Sequence, residues 1–205
     1  MNNSKSRKQV LWITQTAMLL AVAVLSQTYL TPLLGGAGNL SQMVVGPIVN
    51  FCLVLAALTC GFWSGAAISA ATPVIALMMG RMAFPQQAVI VALGNLALVF
   101  VFCLVCNKKI FGKNSTEAFN WGVASVVGSF AKFIVLWVGM TRIFISFVLV
   151  NSDLPAPQIE RMTAAITVTF SWPQLATALI GCILAGGVYK VLKPVLFKET
   201  GRVRN

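Results

Sequence analysis

The run from Trp121 to Val150 is apolar along its whole length apart from small hydroxyl residues and two cations, Lys132 and Arg142. It is longer than the ~20 residues that cross a bilayer as a helix. Lipid leaves backbone groups no outside partner, so such a segment spans as a helix or belongs to a closed barrel. The chain has 205 residues, 58% hydrophobic and 9% charged. That is too little polar surface for a soluble globule, whose apolar share is about 45–50%. Its acids, Glu117, Asp153, Glu160 and Glu199, all fall outside the apolar runs. A cation near the bilayer centre costs on the order of 2.5–3.5 kcal/mol, so Lys132 and Arg142 are expected to face a cavity, a partner or a ligand. The alternative is that Arg142 snorkels to the interface while Lys132 bonds to backbone carbonyls.

Hydrophobicity and length predict an all-α membrane protein, a bundle of six transmembrane helices in one domain covering 1–205. The spans are about 10–29, 43–59, 63–79, 87–106, 121–150 and 167–192. The second and third are split because Met43–Met79 as one helix would reach roughly 55 Å across a ~30 Å hydrocarbon core. Gly61 and Gly65 make a turn there feasible. The first span lacks a small-residue cleavage signature and is expected to be retained rather than removed as a signal peptide.

Orientation follows from the basic residues. Lys5, Arg7 and Lys8 precede the first span, Lys108, Lys109 and Lys113 lie between the fourth and fifth, and Lys190, Lys193, Lys198, Arg202 and Arg204 follow the sixth. With six spans all of these share one side, leaving only Arg81 and Arg161 opposite, so both termini are expected in the cytoplasm. The outer connections are then Thr31–Gln42, a candidate lid, Gly80–Gln86 and Asn151–Thr163.

The absence of histidine excludes imidazole metal sites and His-based catalysis or proton relays, and no metal or cofactor is expected. The net charge of +11 reflects topology rather than nucleic-acid binding. Cys103 and Cys106 form a C-x-x-C, but at the cytoplasmic end of a span they are expected to stay reduced.

With orientation fixed, Asn50, Asn95 and Gln174 fall within ~10–12 Å of the outer interface at 1.5 Å per residue. Lys132 then sits near mid-depth and Arg142 in the outer leaflet, ~15 Å further along the axis and about 80° around it. Each amide alone would be ordinary interhelical glue; their common depth points to an outward-facing pocket. Trp172 is placed either to stack on a ligand or to anchor at the interface. Arg81 would either draw an anion to the mouth or lie solvated at its rim. Ala17 and Ala21, four apart, form a small-residue face on the first helix.

Several features resemble the substrate-binding S components of energy-coupling factor (ECF) vitamin transporters. These are the basic N-terminus, Ala17-Met-Leu-Leu-Ala21 in the first helix, the Gly61/Gly65 junction in LTCGFWSGAAISAATP and the closing FSWPQLATALIGCILAGGVYKVL. The resemblance implies high-affinity binding of a small water-soluble micronutrient, possibly anionic, at the outer face of a prokaryotic cell membrane. It also implies import with a membrane coupling subunit that docks on Ala17 and Ala21, and with two cytoplasmic ATPases. Site residues expected from the residues and the resemblance together are Asn50, Arg81, Asn95, Lys132, Arg142, Trp172 and Gln174. The chain carries no G-x-x-x-x-G-K-[ST] loop, so ATP hydrolysis falls to partners and no enzyme activity is expected. A stand-alone secondary transporter and a membrane thiol oxidoreductase are the alternatives. Ion-coupled carriers usually need buried acids, which the spans lack.

Overall fold

The computed structural model describes residues 3–36, 38–107 and 116–200. Helix α1 (Asn3–Leu25) continues through a π-helical turn, Ser26–Leu30, and a short α-turn, Thr31–Leu33. Then come α2 (Asn39–Thr59), α3 (Phe62–Met78) and α4 (Pro85–Phe102), the last ending in a π-helical turn, Cys103–Asn107. Helix α5 (Glu117–Trp137) runs on into a long π-helical segment, Val138–Leu149. Helices α6 (Ala156–Thr169) and α7 (Trp172–Thr200) complete the described chain. Among the described residues there is no strand. Five helical stretches are long and apolar enough to cross a membrane, and Phe62–Met78 is a shorter apolar helix.

The α2–α3 turn forms where the length argument requires it. Gly61 adopts φ 95°, a left-handed conformation that costs a residue without Cβ little. The indole Nε1 of Trp12 in α1 donates to the Cys60 carbonyl at 3.0 Å, tying the turn to the first helix. Gly65 has a different role from the one expected: it lies buried within α3 against Val99 of α4. Thr116 caps α5 by accepting from the Phe119 amide at 3.2 Å, with Glu117 in the favourable first turn.

The segment Asn151–Thr163, expected as a loop, is helical from Ala156 onward. Pro155 and Pro157 both stand at the start of α6, where the missing N–H has no helical partner to lose. Helix α6 breaks at Phe170–Ser171, so the last expected span, 167–192, begins within α6 and continues as α7.

Helix α2 packs most extensively along α7, and α4 along both α3 and α5. The bundle divides into two halves along its axis. Toward the chain termini the core is aromatic, with Phe102 edge-on to Trp121 and Trp121 stacked on Tyr189. An exposed ion pair, Lys193 with Glu117, marks that end. Toward the opposite end the helices enclose a cavity. Lys108, Lys109, Lys113, Arg202 and Arg204, part of the basis for the expected orientation, lie outside the described residues.

Candidate functional site

Lys132 sets the character of this cavity. Its side chain, 4% exposed, comes from the C-terminal half of α5. The ammonium donates to Asn50 Oδ1 at 2.5 Å and to Asn95 Oδ1 at 2.7 Å, joining α5 to α2 and α4. Asn50 is positioned by a close helix crossing: a Cβ on Gly181 of α7 would fall 2.5 Å from Asn50 Cβ and 2.8 Å from the Pro47 carbonyl. Only a glycine lets α7 approach α2 this closely.

The cavity above this floor measures about 310 Å³, at the lower end of small-molecule sites, ~300–1,000 Å³. Its walls are largely aliphatic, from Val45 and Val49 of α2, Val91 of α4, Leu136 of α5 and Ile166 of α6. It extends to the interhelical residues Gly38, Arg81 and Met82. Arg81 is strapped to the end of α1, donating from Nη1 to Thr31 Oγ1 at 2.6 Å and from Nη2 to the Thr28 carbonyl at 3.3 Å. Burial lowers the pKa of its guanidinium, which stays charged nonetheless.

Of the residues expected at the site, Asn50, Arg81, Asn95, Lys132 and Gln174 all line this one cavity. Arg142 and Trp172 do not. Arg142 is exposed on the outside of the bundle, its guanidinium carbon 5.8 Å from the Trp137 ring centroid. Its expected place rested on outer-leaflet depth and the lack of acids, which give no direction around the helix; the π turns from Val138 take more residues each and change the direction in which later side chains point. Trp172, 65% exposed at the first position of α7, faces outward while Gln174 two residues later is buried. Ala17 and Ala21 are exposed on α1.

Sequence reasoning missed other polar lining residues, among them Gln27, Thr31, Ser41, Thr72, Gln87 and Thr169. Gln27 carried a legible signal, an amide inside an apolar run. Its Oε1 is buried without a hydrogen-bond partner. Among the described residues no group of His, Cys, Asp and Glu could hold a metal.

The model of a known protein family, the substrate-specific component of ECF transporters, matches residues 12–193. The chain belongs to this family. No curated protein and no solved structure matches it. As an S component it is a multi-pass membrane protein that confers substrate specificity on a transporter and works with an ECF module; it is a transport subunit, not an enzyme.

Proposed function

We propose that this S component captures a small water-soluble micronutrient, a vitamin or a precursor of one, in the Lys132 cavity. Capture takes place at the outer face of a prokaryotic cell membrane. A membrane coupling subunit and two cytoplasmic ATPases then complete import. The observation that carries this reading is the convergence of Asn50, Asn95, Gln174 and a buried cation on one cavity. Interhelical glue alone would not leave an unfilled volume above its hydrogen bonds.

The same reading takes Phe62–Met78 as a sixth span and puts both termini in the cytoplasm. At 1.5 Å per residue this helix is roughly 25 Å long, enough with its flanking turns for a ~30 Å hydrocarbon core. The basic end of α7, with Lys190 and Lys193, then faces the cytoplasm and the cavity faces out. Exposure of Ala17 and Ala21 supports docking of a coupling helix on α1, where small side chains permit close approach.

The test is affinity purification of the chain from its native membrane, followed by mass spectrometry of both bound subunits and released small molecules. Coupling and ATPase subunits together with one enriched metabolite are expected. An Ala17→Trp variant should lose the subunits and uptake while keeping the metabolite. Uptake by the chain reconstituted alone would overturn this reading in favour of a secondary transporter.

A further inference from the structure

We infer that the cavity floor is a donor-only cradle selecting monoanions, with a substrate carboxylate seated on Lys132 and the side-chain nitrogens of Asn50 and Asn95. This rests on the cavity being the capture site. An ammonium offers three donors and no acceptor. Two of those donors are taken by amide oxygens. Because the ammonium can only donate, each asparagine must turn its oxygen toward Lys132 and its NH2 group away. Among the described residues neither of those nitrogens has a protein partner, and both asparagines line the cavity. One remaining ammonium N–H and two amide NH2 groups therefore point to the same kind of ligand atom, an acceptor oxygen.

Charge narrows the class further. No acid lines the cavity, so among the described residues the Lys132 charge has no carboxylate partner. Leaving a buried charge without its counter-charge is strongly unfavourable. A carboxylate cancels it one for one. A phosphate monoester would need a second positive charge at the floor, and the other lining cation, Arg81, is tied by two of its N–H groups to the turns that follow α1 rather than to the Asn50–Lys132–Asn95 cluster. Cationic heterocycles and divalent metal ions are repelled by the same field. Above the floor, the buried and unpartnered Gln27 Oε1 requires a donor. The substrate is thus a small carboxylate with an aliphatic body, to suit Val45, Val49 and Leu136, and a hydroxyl or N–H group toward α1.

The experiment uses the whole chain in detergent micelles, probed by thermal shift and calorimetry with three sets of compounds: vitamin and precursor carboxylic acids, the primary amide of each acid, and cationic heterocycles. At least one acid should bind, with its amide at least tenfold weaker. Asn95→Asp places a carboxylate against Lys132 without changing side-chain size. It should weaken acid binding thirtyfold or more while the unliganded melting temperature holds or rises, an outcome that a purely structural role for Asn95 does not produce. Equal affinity for acid and amide, or undiminished acid binding by Asn95→Asp, would falsify the inference. Should Asn95→Asp not fold, the acid–amide ratio of the unmodified chain decides alone. Binding only of neutral or cationic probes overturns anion selection but keeps the capture site; binding of no probe by folded chain counts against the capture site itself.

Discussion

Lys132 and Arg142 sit ten residues apart on one continuous helical stretch, each a cation in a run without acids, yet the bundle treats them differently. Lys132 is enclosed, bonded to two amide oxygens and open to a cavity. Arg142 stands outside against an exposed tryptophan, and among the described residues it makes neither a hydrogen bond nor an ion pair. A cation over an aromatic face gains ~0.5–1 kcal/mol at an exposed site, and a long side chain can reach the interface. Isolation from acids therefore does not by itself bring a charge to a cavity. What separates the two is whether neighbouring helices supply neutral acceptors and leave room beside them.

The contrast can be broken most directly at its strong end. Lys132→Met should weaken substrate binding a hundredfold or more, about 2.7 kcal/mol, measured by calorimetry with the metabolite that co-purifies. A change below threefold would remove Lys132 from the site. Next comes the crossing that holds Asn50. Gly181→Ala should push α7 off α2 and reduce affinity about tenfold, through an overpacking strain of ~1–3 kcal/mol. Gly187→Ala is the control, since a Cβ there meets nothing within 4 Å. Equal affinities for the two variants would show that the crossing does not position the floor. The smallest effect belongs to Arg142→Leu, expected to leave affinity within threefold. A loss of thirtyfold or more would return Arg142 to the ligand.

Much of the fold could be read from the residues because lipid imposes one-dimensional rules. Apolar length located the long helices, and the excess of Met43–Met79 over the bilayer thickness located the Gly61 turn. The amides were legible for the same reason: Asn50, Asn95 and Gln174 are costly in apolar runs wherever they point, and they meet in one cavity. Directions around a helix were less legible. Arg142 was placed by depth and the absence of acids, neither of which gives a direction around the helix, and the π-helical stretch from Val138 does not keep the regular 100° step. Helix α6 was hidden because prolines 155 and 157 mark a helix start as readily as a loop. Thr31, Ser41 and Thr169 were missed because a hydroxyl can bond back to its own helix, as Ser41 does to the Gly38 carbonyl at 2.8 Å, and so carries little signal in sequence.

The π-helical stretch Val138–Leu149 also bears on how this chain can change over generations. Its hydrogen bonds span one residue more than those of an α-helix, so it holds more residues per turn. Each residue there turns the chain through a smaller angle than in an α-helix, so side-chain direction between Lys132 and α6 departs from an α-helical count. A count of residues from Lys132 is therefore no ruler for carrying positions beyond Val138 from one family member to another; the wall residue Ile166 is to be matched through the packing of α6, not through its distance along the chain.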